Sequence, residues 1–222
     1  MLAFVLATLG GLIGELIAIA VTGAKAGPNG NIKVTAPILV GAVVGQFGAW
    51  FATLYATSRY KGFRSLRADF GFVVHLTDWV LVPIGAGFQI VAVVALLPIS
   101  DRVNKSQDVV QELNDAHGAK LVVLALLAVV IAPVVEELFF RGLLLRSLQR
   151  RWSAPSAVAV SAIAFGLAHV VFDWNARAAL PALVALGMVS GILAVRTGNL
   201  SRSILLHAGF NLLPVLAVLT NH

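Results

Sequence analysis

The stretch from Ala132 to Arg146 reads APVVEELFFRGLLLR and sets two adjacent carboxylates, Glu136 and Glu137, and the guanidinium of Arg141 among residues otherwise suited to hydrocarbon. A charge at the bilayer centre costs about 2.5–3.5 kcal/mol on insertion scales, so such residues tend to pair, face a cavity and serve function. Glu137 and Arg141 stand four apart and share one helix face, where an ion pair offsets the cost of burying either. Glu136 points about 100° away around the helix. It is left without a cation, which suits it to take up and release a proton as a general base or acid. Pro133, one turn earlier, removes a backbone hydrogen bond and is expected to kink the helix beside the pair. An interhelical pin, with Glu136 simply uncharged, is the competing use of these residues.

Two further segments carry polar pairs at the same spacing. FGLAH places Phe165 and His169 on one face, and HAGFN places His207 and Asn211 on one face. A single histidine in an apolar helix is more often an interhelical hydrogen-bonder than a catalyst. The other histidines, His75, His117 and His222, fall at or beyond the ends of apolar runs, so only His169 and His207 lie inside them. Cysteine is absent, which removes thiolate nucleophiles and thiolate metal sites and leaves carboxylate, imidazole, hydroxyl and amide for any catalysis.

These residues need apolar helices to hold them. The chain has 222 residues, 59% hydrophobic and only 12% charged, with a mean hydropathy of +0.92. That composition belongs to an integral membrane protein. A spanning helix takes about 20 mostly apolar residues, and seven windows qualify, roughly 1–22, 35–57, 78–100, 119–147, 155–173, 177–196 and 200–220. The expected fold is all-α: a polytopic transmembrane bundle of about seven spans with an intramembrane cavity, residues 1–222 forming one domain. The first window lacks a preceding Lys or Arg and is interrupted by Glu15, so it reads as a retained helix rather than a signal peptide.

The net charge of +6 is spread as small clusters between apolar runs, which the positive-inside rule explains better than nucleic-acid binding does. Arg59, Lys61, Arg64 and Arg67 follow span two, and Arg146, Arg150 and Arg151 follow span four. Arg196 and Arg202 flank the turn after span six, whereas Asp101, Asp108, Glu112 and Asp115 outweigh Arg102 and Lys105 after span three. The pattern places the N-terminus inside and the C-terminus outside, with Lys25 and Lys33 as the one discord. SRYKGFRSLRADFGF, Ser58 to Phe72, interleaves basic and aromatic residues and fits either a short helix or elbow in the headgroup region or a plain basic loop. Asp69 is expected to cap the helix that follows. Asp78 and Trp79 read as interfacial anchors, Glu15 as a residue that lines the cavity or pairs with a neighbouring helix, and Gly187, Ser190 and Gly191 as a small-residue face for close packing.

EELFFR, FGLAH and HAGFN, in this order and on spans four, five and seven, resemble the EExxxR, FxxxH and HxxxN/D motifs of the CPBP family, the CAAX-protease and bacteriocin-processing (Abi) membrane proteins. The recognisable region is about 119–215. The resemblance implies an intramembrane endopeptidase of the kind that removes the terminal tripeptide of prenylated CAAX proteins in eukaryotes or cleaves peptides in prokaryotes. It implies that Glu136 activates water with help from His169, that His207 and Asn211 stabilise the oxyanion, and that Glu137 and Arg141 form the supporting pair, with Phe165 packed beside the site. The implied substrate is a membrane-embedded or lipidated peptide, met in the lipid bilayer of a prokaryotic cell membrane from the cytoplasmic side; no nucleic-acid partner is expected. A catalytically silent immunity or scaffold protein of the same fold is the alternative. The family is described both as a metalloprotease and as a metal-independent glutamate type. Metal-free catalysis is expected here, since no HExxH pair is present, with Glu136, His169 and His207 as the ligands if zinc takes part. The chain stops soon after span seven, so an eighth helix is not expected.

Overall fold

The computed structural model describes residues 2–25, 36–99 and 113–220, and every regular element among them is helical. Lys33, the loop charges from Asp101 to Glu112, and His222 lie outside the described residues. The long helices are α1 (Leu2–Thr22), α2 (Ala36–Lys61), α4 (Leu81–Leu96), α5 (Gly118–Gln149), α6 (Ala154–Phe172), α7 (Leu180–Thr197) and α8 (Leu200–Thr220), with a short α3 (Leu66–Phe70) between α2 and α4. Among the described residues five helical runs are long and apolar enough to cross a membrane: Leu76–Leu96, α5, Ala154–Val171, Trp174–Thr197 and α8. They correspond to the third to seventh windows of the sequence; α1 contributes a shorter apolar run, Leu9–Thr22. The protein is a polytopic membrane helix bundle.

In lipid, apolar side chains gain nothing by leaving the solvent, so helices associate through close backbone approach and polar contacts. Three helix pairs follow that rule. α1 and α2 run antiparallel with Gly10 against Gly45 and Gly14 against Gly41. α4 and α8 meet where a Cβ on Gly85 would lie 2.0 Å from the Leu206 carbonyl oxygen and one on Gly209 2.0 Å from that of Val82. α7 lays the predicted small-residue face on α6, Gly187 against Ala162 and Gly191 against Val158. At the α4–α8 crossing the obstacle is backbone, so Gly209→Ala must push the helices apart. It should destabilise the protein by about 1–3 kcal/mol, read as a lowered midpoint of thermal unfolding in detergent.

Ser58 to Phe72 forms the short helix of the first alternative. Ser65 caps α3 by accepting from the Ala68 N–H. Asp69 does not cap the following helix. Its carboxylate turns back to accept from the Ser58 hydroxyl at 2.5 Å and from the backbone N–H groups of Phe63 (2.7 Å) and Ser65 (3.2 Å). The preceding loop holds orphan donors that the carboxylate can satisfy, and these bonds, that of Ser58 first, hold its pKa below the usual value. Phe70 is buried against Leu54, Leu138, Leu200 and Ile204, which ties the elbow to α2, α5 and α8.

Asp78 also departs from its expected role. It is buried against protein rather than exposed, accepts from the Nε of Arg202 at 2.8 Å and from the Nδ2 of Asn199 at 3.3 Å, and so fastens the 3₁₀ turn Leu76–Val80 to the start of α8. Trp79 remains exposed, as an anchor at the membrane surface would be.

Candidate active site

The fourth span leaves α-helical geometry twice, in π-helical stretches at Leu127–Ile131 and Leu138–Leu145, and the two glutamates lie on the short α-helical piece between them, Ala132–Glu137. Such stretches frequently accompany functional sites. In the first stretch the Ala132 N–H bonds the Leu127 carbonyl, five residues back. The next bond in that register would join the Ala128 carbonyl to the N–H of residue 133, but residue 133 is proline and has none. Asn211 of α8 fills the gap, its Nδ2 donating to the Ala128 carbonyl at 2.9 Å. Where a kink was expected from Pro133, a widened turn and a borrowed amide occupy the place.

Arg141 and Glu137 are 1% and 0% exposed and pair at 2.9 Å between Nη1 and Oε1. The guanidinium also donates from Nη2 to the Gly187 carbonyl at 3.1 Å and lies 4.5 Å from the centre of the Phe165 ring. It therefore joins α5 to both α6 and α7. The same Oε1 of Glu137 receives Nδ1 of His207 at 3.1 Å. Glu137 thus orients a histidine as well as balancing an arginine, an arrangement like the carboxylate that fixes an imidazole in hydrolytic triads.

His169 reaches the same place from α6. Its Nδ1 lies 3.0 Å from the Phe165 carbonyl, which can only accept, so this nitrogen carries the proton and Nε2 presents a lone pair. His207, with Nδ1 given to a carboxylate, is in the same state when neutral. Both Nε2 atoms face Oε2 of Glu136, at 3.7 Å for His169 and 3.8 Å for His207. Glu136 is 8% exposed, and its Oε2 has no hydrogen-bond partner. Among the described residues, two imidazole acceptors thus face the Glu136 oxygen with no donor between them. A water molecule, which brings two hydrogens, fits the chemistry of that point.

The structure therefore brings Glu136, Glu137, Arg141, His169 and His207 together. Phe165 packs between them, edge-on to both imidazoles. Asn211 lies nearby on α8 and lines the adjoining cavity with Glu136 and His169. A zinc ion bound by nitrogen and carboxylate at about 2.0–2.2 Å would draw its ligands to within about 3.5 Å of one another. The two Glu136–histidine separations are wider than that, and among the described residues no group of three His, Cys, Asp or Glu side chains is gathered closely enough to hold a metal.

The cavity has a volume of about 640 Å³ and is walled mainly by apolar side chains of α1, α2, α4, α5, α6, α7 and α8. Glu15 lines it, and so do Gln46 of α2 and Gln89 of α4, two residues the sequence reading passed over. A signal was present: each is the lone amide side chain of its helix, set in an apolar run.

Residues 118–213 match the family model described as Type II CAAX prenyl endopeptidase Rce1-like. This stretch, a little under half of the chain, is similar to the Rce1-like domain of the CAAX-type intramembrane proteases. The matched segment begins with α5, ends within α8, and contains all six of the polar residues discussed above, from Glu136 to Asn211. α1 to α4 lie outside the Rce1-like match. Neither a curated protein nor a solved structure matches the chain.

Proposed function

We propose that this protein is an active intramembrane endopeptidase that hydrolyses a peptide bond of a membrane-embedded or lipidated peptide without a metal. Support comes chiefly from one arrangement: a buried Glu136 oxygen that faces the Nε2 atoms of two histidines whose other nitrogens are already engaged. Water held there gives a proton to the Glu136 carboxylate as its oxygen attacks the scissile carbonyl carbon. The tetrahedral intermediate then carries the negative charge on the former carbonyl oxygen. His207, once a proton taken from solvent has turned its Nε2 from acceptor to donor, donates to that oxygen while Glu137 and Arg141 hold the ring, leaving Glu136 and His169 to hold the water; Asn211 offers the second N–H of the amide it lends to Ala128. Collapse of the intermediate breaks the C–N bond, and the proton held by Glu136 or His169 passes to the departing amine. In this reading the substrate enters from the lipid and the site opens toward the cytoplasm of a prokaryotic cell; the basic clusters that follow α2 and α5 support the cytoplasmic side.

The test is to incubate the purified protein in lipid with prenylated and unprenylated peptides and to read cleavage by mass. Turnover is expected to persist in a strong chelator; loss of turnover that zinc restores would replace the glutamate mechanism with a metal hydroxide. If no peptide is cut under any condition and Glu136→Gln leaves the cellular phenotype unchanged, the silent immunity or scaffold protein takes the place of the enzyme.

A further inference from the structure

Glu15 is the one ionisable residue on the apolar stretch of α1, and that helix turns it toward the 640 Å³ cavity. A carboxylate in such surroundings is expensive unless paired. Among the described residues no cation stands within salt-bridge distance of it, and the described residues that line the cavity include Glu15, Glu136 and Asp173 but no lysine or arginine. Other polar groups on the wall point the same way. Gln89 has a buried Oε1 with no hydrogen-bond partner, and Glu136, more than nine-tenths buried, has its Oε2 in the same condition. The cavity offers unfilled acceptors and, among its described lining residues, carboxyl groups without a lysine or arginine.

The packing fixes how far Glu15 lies from the candidate active site. Gly14 meets Gly41, so Glu15 stands near the level of Gly41 on α2. Trp50, nine positions further along α2, stacks on Phe139 at 4.7 Å and meets Phe140 edge-on, one turn beyond Glu136. Nine residues of helix rise about 13 Å, and because α2 and α5 run in the same direction the turn from Phe139 back to Glu136 takes about 5 Å from that, an interval along the bundle that an extended peptide covers in about three residues at roughly 3.3 Å each.

We propose that the cavity is selective for a substrate with a basic side chain, lysine or arginine, about three residues from the bond to be cut, and that Glu15 is its counter-charge. This inference rests on the peptidase reading of the site but concerns a different end of the cavity. A cation brought in by the peptide supplies the partner that Glu15 lacks among the described residues, and the Gln89 oxygen accepts one of its N–H groups. An apolar or lipidated segment of the same peptide fills the rest of the wall.

The probe is a set of fluorescent peptides in nanodiscs, identical except that one position in turn carries lysine or acetyl-lysine, which keeps the length and removes the charge. Binding is measured separately from cleavage. At the favoured position lysine should bind about tenfold more tightly than acetyl-lysine, the worth of one charge-assisted contact. Glu15→Gln should erase the difference, and Glu15→Lys should reverse the preference toward a peptide with glutamate at that position, an outcome that misfolding cannot imitate. Equal binding of the lysine and acetyl-lysine peptides, or a lysine preference that survives Glu15→Gln, overturns the inference. Cleavage without charge preference removes this proposal alone, whereas charge-selective binding without cleavage of any peptide removes the peptidase reading alone.

Discussion

Glu136→Gln is expected to lower peptide turnover by at least about 100-fold while leaving peptide binding in place. The substitution keeps the side chain's volume and one acceptor oxygen, so the surroundings of His169 and His207 change little, but the amide cannot take a proton from water. Single-turnover cleavage compared with binding in nanodiscs separates the two effects. His207→Ala should cost about 10²–10³-fold in turnover through loss of an oxyanion donor. Combined with Glu136→Gln it should cost far less than the product of the two, because groups that act as a unit are not additive. Asn211→Ala differs in kind. It removes the proposed oxyanion donor and also strands the Ala128 carbonyl that Pro133 cannot serve, so it should lower thermal stability along with turnover. Full turnover by Glu136→Gln would remove this glutamate as the base.

Arg141→Ala should be the most destabilising single change in the site, by about 3–5 kcal/mol. The guanidinium is almost wholly buried and is held by Glu137, the Gly187 carbonyl and the Phe165 ring, on three different helices. Its removal leaves the Glu137 carboxylate buried with, among the described residues, only His207 as a partner. Arg141→Lys keeps a charge but not the planar fork that reaches Glu137 and Gly187 together. It should fold and insert with a smaller loss of stability, while turnover falls because His207 loses its fixed support. Thermal unfolding in detergent, run beside the cleavage assay, reads both variants; equal stability for the two would mean that the fork is not what joins the helices.

The division between what was legible in the sequence and what was not follows from the physics of packing in lipid. Within one helix, spacing alone fixes direction. Four residues separate Glu137 from Arg141, Phe165 from His169 and His207 from Asn211, and the first two pairs are in contact as that spacing requires. Mean hydropathy and the apolar windows likewise specify a membrane helix bundle, because no other arrangement satisfies the backbone in hydrocarbon. Contacts between helices are different. In water an apolar stripe tells which face turns inward; in lipid nearly every face is apolar, and the meeting faces are chosen by small residues and scattered polar groups. For that reason only the tertiary structure decided that the Glu137 oxygen serves His207, 70 positions away, as well as Arg141, or that Asn211 of α8 meets a carbonyl of α5, 83 positions away. It decided equally that Asp69 faces back toward Ser58 and that Asp78 is buried against Arg202. Glu15 could be singled out in the sequence as an expensive charge, but its facing the cavity depends on Gly14 and Gly41 letting α1 and α2 approach as closely as they do.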